Sequence, residues 1–439
     1  MSDSHDFWEP QPPSASGLGD HDVLRLGPLL AGRRIALLVS GGIAALKSPL
    51  LARELRKYGA EVTAFVSAEA LRYVTADALA WACDRPVVQA LSARAEHLGD
   101  GQRFDAYLVA PATYNILNKC RFGIADSLLS TVLASALGRL QRGETQLLVA
   151  PTMHGSMHNA ILEDSLIQLQ ELGVTVLPPR DAYGKHNLPD LEEIVFRTAR
   201  ALSDSDLRGL PVLVTGGPTP VALDAIRRLS NRFSGALGLE IARALFVAGA
   251  DVHWVHGPSA LLRPAWLPCH LIGSYEEYRQ AVHSLIAHRD CVAGIFTAAV
   301  ADYQPEQVNA GKIPSGAAEQ VFRLVPTAKV IQEVRQAFAE LPMVTFKFEA
   351  GVSHQQLMQI ARQRLAQGYQ AVVANRDEEQ QDEQVAWLVT PDDELRLDGK
   401  PAIAHALVSL LESWAAAGLM PQPQAEPEGF FGQAHPHLH

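Results

Sequence analysis

Cysteine is scarce in this chain: four residues in 439, at Cys83, Cys120, Cys269 and Cys291, with no CxxC spacing. That excludes a disulfide-stapled scaffold and a zinc knuckle, both of which need thiols in close pairs. Long apolar runs are also missing. The longest, such as 292–301, are about ten residues, against the ~20 that a membrane-crossing helix needs. The first residues are acidic and lack the apolar core of a secretory leader. Positive charge is in deficit, with 37 Lys and Arg against 48 Asp and Glu and a net charge of −11. Such a balance disfavours non-specific nucleic-acid binding. Neither GxGxxG nor GxxxxGK[ST] occurs, which removes the common dinucleotide and P-loop signatures. The expectation is a cytoplasmic globular protein of two domains, acting on small molecules, with no nucleic acid and no membrane among its partners.

What the chain has in quantity is apolar segments of strand length. They lie at 34–40, 61–67, 106–111, 146–151, 174–178, 211–215, 251–256, 292–298, 343–348 and 370–374. They are apolar throughout rather than alternating, as expected of strands buried on both faces of a parallel sheet. Helical patterns run between them, for example Leu50, Leu51, Glu54, Leu55 and Tyr58. This alternation predicts an α/β fold of two doubly wound parallel-sheet domains. A weak internal echo agrees: in 51–67 and 241–257 a helix ends near a glycine, Gly59 or Gly249, and feeds a strand. Generic strand–helix grammar explains that echo nearly as well as a duplication. The pattern breaks at Ser203-Asp204-Ser205-Asp206 and Gly209. The expected organisation is a disordered tail over 1–30, a domain over 31–203, a second over 208–415 and a flexible tail over 416–439. The last tail carries His435, His437 and His439.

Ser40-Gly41-Gly42-Ile43-Ala44 follows the first strand and opens a helix. Small residues there let a phosphate approach backbone N–H groups at the positive helix end, although a tight βα turn asks for the same glycines. Ala110-Pro111-Ala112-Thr113-Tyr114-Asn115 and Val149-Ala150-Pro151-Thr152-Met153 end two further strands. Gly123 to Leu129 lies between them. Ligands of open α/β sheets bind outside the carboxyl ends of strands, where these segments converge.

Together these motifs resemble the flavin-containing cysteine decarboxylases of the phosphopantothenoylcysteine type, over roughly 33–195. His97, fourteen residues before Pro111, stands where that family places its active-site histidine. The resemblance implies a flavodoxin- or Rossmann-like domain that holds FMN. The phosphate would lie at Gly41, Gly42, Ile43, Ala44 and Ser67, and the ring near Pro111, Ala112, Thr113, Asn115 and Met153. In that chemistry the flavin oxidises a cysteinyl thiol, and the thioaldehyde accepts electrons as CO2 leaves. His97 is then the acid/base near the thiol, since imidazole titrates close to neutral pH. Two positions depart from the family. Its asparagine that handles the substrate carboxylate is His154 here. Its glycine-rich clamp carries a cysteine, whereas Pro178 to Asn187 contains none. Cys83 and Cys120 lie elsewhere and read as packing residues. FMN binding is therefore expected ahead of complete, reductively closed decarboxylation.

In the second half, Val214-Thr215-Gly216-Gly217-Pro218-Thr219 ends a strand in a small-residue turn. Arg227-Arg228-Leu229-Ser230-Asn231-Arg232-Phe233-Ser234-Gly235 follows. Arginines at a Ser/Asn/Gly-rich helix start suit a phosphate or carboxylate ligand, because guanidinium pairs bidentately with both. A solvated arginine cluster is the plainer explanation. Ala298 to Tyr303, then Gly311-Lys312-Ile313 and Phe346-Lys347-Phe348-Glu349 complete the set. The ordered set resembles the phosphopantothenate–cysteine ligases over about 210–395, with Lys312 ten residues after Asp302 matching the family's catalytic lysine. The resemblance implies a Rossmann-like ligase domain. In it a 4'-phosphopantothenate carboxylate attacks the α-phosphate of CTP or ATP, and the cysteine amine displaces the nucleotide. Lys312 would offset charge on the phosphate and Asn231 would bind the acyl intermediate. Arg227 would hold substrate phosphate or carboxylate, and Asp302 would sit near Mg2+ or the nucleotide. Gly216, Gly217, Ser234, Gly235, Ala299, Phe346 and Lys347 complete the substrate and nucleotide set. The family's lysine-rich segment after Lys312 is Ile313-Pro314-Ser315 here, and Lys347 is positioned in sequence to replace the lost charge.

Three functions follow. The first is a bifunctional enzyme of coenzyme A biosynthesis. The second is a paralogue that decarboxylates oxidatively on another substrate, and the third a non-catalytic flavin-binding regulator. The resemblance also implies homo-oligomers, with trimeric flavin domains and dimeric ligase domains.

Overall fold

The computed structural model describes residues 12, 14–93, 95–98, 103–316, 318–379 and 384–421. The three terminal histidines lie outside them. The chain divides into two compact units, Met1–Leu202 and Ser203–His439.

The first unit is built on five parallel strands. Their order across the sheet is Glu61–Val66, Arg34–Val39, Ala106–Ala112, Gln146–Pro151, Thr175–Val176. This is the flavodoxin-like order, and the connections reverse direction between Arg34–Val39 and Ala106–Ala112. The strands are apolar because both faces are covered: Ile35, Leu37, Leu38, Leu108 and Leu148 have no exposed surface. Helices Ser48–Lys57, Ala76–Cys83, Tyr114–Arg121, Leu128–Leu140, Ala160–Glu171 and Leu191–Ala201 flank the sheet. Their starts follow local chemistry. Asn159 accepts the N–H groups of Ile161 and Leu162, and Ser127 with Ser130 forms a capping box. Each such cap stabilises by about 1 kcal/mol. In the segment read as a loose tail, Leu30 is fully buried and its N–H donates to the Tyr58 carbonyl. Covering one leucine stabilises by ~1.5–3 kcal/mol, enough to lay the segment before the first strand against helix Ser48–Lys57.

Among the described residues the second unit is built on an eight-stranded sheet, beside two small two-stranded ones. The order is Cys269–Leu271, Asp251–His256, Pro211–Gly216, Ala293–Phe296, Met343–Glu349, Ala371–Arg376, Val385–Val389, Glu394–Asp398. The first six run parallel and reverse direction between Pro211–Gly216 and Ala293–Phe296. The last two are antiparallel additions that the expectation of a purely parallel sheet lacked. Glu394–Asp398 is a mostly exposed edge strand with charged side chains, so it carries no continuous apolar run to read. Helices Ala236–Val247, Tyr275–His288, Val330–Ala337, His354–Leu365 and Lys400–Ala416 cover the faces.

Candidate functional site

The reversal point of the first sheet opens into a cavity of about 840 Å³, within the range of small-molecule sites. Two strand ends build it. Ser40 closes Arg34–Val39, and its Oγ donates to the Pro111 carbonyl at 2.7 Å while accepting the Thr113 N–H at 3.2 Å. One buried hydroxyl thereby ties the Gly41–Ala44 turn to the Pro111–Asn115 turn. Of the residues expected to hold FMN, Gly41, Gly42, Ile43, Ala44, Ser67, Pro111, Thr113, Asn115 and Met153 line this one cavity, and Ala112 is buried in the strand behind it. Lys47 also lines it, an unforeseen cation beside the glycine turn, as do Lys119 and Ser127. Lys119 is held by Asp126 at 2.9 Å. The wall combines apolar Ile43, Leu46, Pro111, Ile116, Leu129 and Met153 with hydroxyl, amide and ammonium groups. That mixture fits a flat ring attached to a phosphate.

His154 lines the same cavity. Its Nδ1 accepts the Ser156 N–H at 3.2 Å and lies 2.8 Å from Ser156 Oγ. With Nδ1 accepting, the neutral ring carries its hydrogen on Nε2 and is a donor, as the amide of the replaced asparagine would be. The segment lacking the clamp cysteine forms a hairpin, Arg180–Ala182 with Lys185–Asn187, whose second strand pairs with Met153–His154. The Gly155 N–H donates to the Gly184 carbonyl at 2.9 Å. A Cβ on Gly155 would stand 2.6 Å from that oxygen, so only glycine allows the hairpin to close here. Lys185, His186 and Asn187 enter the cavity wall from it. His97 lies in the short turn Glu96–Leu98, and its side chain falls outside the described residues. Burial pushes the thiols of Cys83 and Cys120 up to about 12, so both are neutral packing groups at physiological pH.

In the second unit the two loops at the reversal point are laced together. The Ala299 N–H donates to the Gly217 carbonyl at 2.9 Å and the Thr219 N–H to the Ala299 carbonyl at 3.2 Å. Asn231 Nδ2 donates to the same Ala299 oxygen at 3.0 Å. Gly235, at φ 78°, starts helix Ala236–Val247, and a Cβ there would lie 2.5 Å from the Gly217 nitrogen. Gly216, Gly217, Asn231, Gly235 and Ala299 thus form one cluster. Ser234 accepts the Ala236 N–H at 3.4 Å at the same helix start.

Lys312 is positioned by a residue the sequence reading passed over. Buried Asp224 accepts the N–H groups of Arg227, Ile226 and Ile313, at 2.6, 2.8 and 3.0 Å, and the Arg227 guanidinium at 2.7 Å. These donors, the Arg227 N–H first, hold the carboxyl well below the usual carboxylate range. Arg227 also donates to the Ile313 carbonyl at 3.2 Å, so part of its fork fixes the loop next to Lys312. Nothing in the local sequence marks Asp224 as buried. Asp302 pairs with Lys329. Among the described residues no group of three or more His, Cys, Asp or Glu is placed to hold a metal ion. Lys347 is 2.6 Å from Glu349, and the carbonyl of Phe346 accepts from Arg364 at 3.0 Å.

The folds and the cavity define a two-domain α/β protein of the flavoprotein type. The family described as "Flavoprotein" matches residues 28–203, and the one described as "DNA/pantothenate metabolism flavoprotein C-terminal domain" matches 207–414. The curated protein "Coenzyme A biosynthesis bifunctional protein CoaBC" of Thermococcus kodakarensis is 34% identical over 353 residues, covering 79% of this chain and 86% of its own. Its namesake in Mycolicibacterium smegmatis is 32% identical, covering 82% and 92%, and that of Bacillus subtilis 30%, covering 79% and 86%. The chain belongs to this family of bifunctional coenzyme A biosynthesis proteins.

Proposed function

We propose that the C-terminal unit joins 4'-phosphopantothenate to cysteine at the expense of CTP or ATP. The N-terminal unit then decarboxylates the product, with FMN, to 4'-phosphopantetheine. The observation that carries the reading is the convergence of the Ser40–Ala44, Pro111–Asn115 and Met153–His154 segments on a single cavity at a sheet reversal point.

FMN supplies, when bound, a two-electron acceptor beside the substrate thiol. The chain's residues do the rest. Gly41 to Ala44, Ser67 and Lys47 receive the phosphate, by N–H groups, hydroxyl and ammonium charge. His97 moves the thiol proton. His154 donates from Nε2 to the substrate carboxylate and holds it in place until CO2 leaves. In the other unit Lys312, fixed through the Asp224 clasp, offsets charge growing on the α-phosphate. Asn231, Gly216, Gly217 and Ala299 form the acyl-nucleotide bed. Arg227 serves the substrate through whatever donors the clasp leaves, and Phe346 and Lys347 border the nucleotide. Mg2+ enters with the triphosphate as part of the substrate, with Asp302 beside it. Homo-oligomers belong to the same reading, supported by exposed Ile43 and Leu46 at the cavity wall.

The halves separate in the assay. Flavin-free protein given 4'-phosphopantothenate, cysteine, Mg2+ and CTP or ATP is expected to accumulate 4'-phosphopantothenoylcysteine. Addition of FMN is expected to consume it with release of CO2. Failure of ligation with both nucleotides overturns the first half, and no CO2 from supplied 4'-phosphopantothenoylcysteine overturns the second.

A further inference from the structure

Behind the hairpin lies a chain of four titratable groups. Asp181 Oδ1 is 2.6 Å from His186 Nδ1, His186 Nε2 is 2.9 Å from His158 Nδ1, and His158 Nε2 is 2.9 Å from Glu163 Oε1. All four ring nitrogens are used. Three hydrogen bonds need three hydrogens, but two neutral imidazoles bring only two. The arrangement is complete only when it holds one further proton between two carboxylates. The chain also has a direction. His186 lines the cavity, with its side chain 20% exposed, while His158 is 42% and Glu163 57% exposed. Other charges nearby are Lys185 and His154 on the paired strands. Arg180 lies 3.9 Å from Asp190, and Asp164 lies 3.8 Å from Arg121.

We infer that His186 is the proton donor of the decarboxylating site, fed by His158 and Glu163 and oriented by Asp181. The inference rests on the decarboxylase reading. Loss of CO2 consumes one proton whatever redox steps intervene: R–COO⁻ + H⁺ gives R–H + CO2. The C–COO⁻ bond breaks, its electron pair passes into the thioaldehyde, and the pair returns to that carbon when a C–H bond forms. His186 supplies that hydrogen from Nε2, opening the link to His158, and is left as a neutral imidazole held by Asp181. A solvent proton entering through Glu163 and His158 restores the chain. Hairpin and proton store thus occupy Pro178 to Asn187, the segment in which the sequence resemblance implies a clamp thiol and this chain has none. His186 is the catalytic residue, while His158, Glu163 and Asp181 act through it.

The test uses FMN-loaded full-length protein and authentic 4'-phosphopantothenoylcysteine. His186→Asn is expected to retain flavin absorbance and ligase activity. Its output of 4'-phosphopantetheine should fall at least ~10²-fold, the scale of a lost general acid, with a product lighter by two hydrogens in its place. Glu163→Gln, which removes one stabilising carboxylate, is expected to move the alkaline limb of the decarboxylation profile to lower pH with flavin affinity unchanged. Ring-nitrogen NMR of the wild-type holoprotein is expected to count three protons on these two imidazoles. Undiminished 4'-phosphopantetheine from His186→Asn, an unmoved limb in Glu163→Gln, or two ring protons in the wild type each overturns the inference. Absence of CO2 from the wild-type protein contradicts instead the decarboxylase reading, and the NMR count still decides whether the proton is stored.

Discussion

The two units solve the same topological problem with different materials. Each reverses its sheet direction between two neighbouring strands and gathers a group of its candidate residues at the carboxyl ends there. In the first unit the reversal point is a walled cavity, closed on one side by a polar hairpin. In the second, the loops are laced by backbone hydrogen bonds around Ala299, and a buried carboxylate clasps the loop bearing Lys312. On the proposed reading, the preformed enclosure suits a resident cofactor, and the bed of backbone groups with its positioned cation suits substrates that come and go.

That contrast breaks most sharply at the groups proposed as catalytic. Lys312→Gln is expected to lower ligation ~10²–10³-fold, as for loss of one transition-state donor, while decarboxylation of supplied 4'-phosphopantothenoylcysteine continues unchanged. His97→Asn is expected to do the reverse, lowering decarboxylation ~10²–10⁴-fold and sparing ligation, each product followed by mass. Loss of both activities in one folded variant would erase the distinction between the units. Gly155→Ala comes next, because its Cβ meets the Gly184 oxygen and lifts the hairpin. Displacement on the scale of an ångström costs up to ~10²-fold, here in decarboxylation alone. Asp224→Asn sharpens the other side, lowering ligation and the unfolding temperature at neutral pH. A carboxylate whose folded pKa is depressed contributes stability above its unfolded pKa of ~3.9 and loses it as pH falls through the folded value. Melting curves of variant and wild type are therefore expected to converge as the pH drops below about 4. The smallest effect is expected from Cys120→Ala. Its buried neutral thiol serves packing, so decarboxylation persists with a stability loss of ~1 kcal/mol, measured by denaturant unfolding.

The parallel framework was legible because burial on both faces writes itself as continuous apolar runs, from Ile35 to Val39 as from Val212 to Val214. So was the convergence of most of the named residues on one cavity, since small residues at strand ends mark where backbone can come close to a ligand. Less legible were groups whose role is set by partners distant in sequence. Asp224 is an acidic residue in a turn until Ile313, 89 positions on, is folded against it. His186 sits in a polar stretch with no period, and His158 reaches it across 28 residues. The absence of a clamp cysteine places FMN binding ahead of complete decarboxylation in the sequence reading, because sequence shows that a thiol is missing and not how the side chains of the hairpin are partnered. Of the edge hairpin, Glu394–Asp398 was not legible because it is mostly exposed and charged, whereas Val385–Val389 is a buried apolar run that the reading passed over.

The central claim is that one chain performs both reactions in order. Full-length protein loaded with FMN should be given 4'-phosphopantothenate, cysteine, Mg2+ and CTP or ATP, and the product weighed by mass spectrometry. The account predicts 4'-phosphopantetheine, with 4'-phosphopantothenoylcysteine appearing before it. An end product lighter by two hydrogens, or no product from either nucleotide by a folded, flavin-loaded sample, would contradict it.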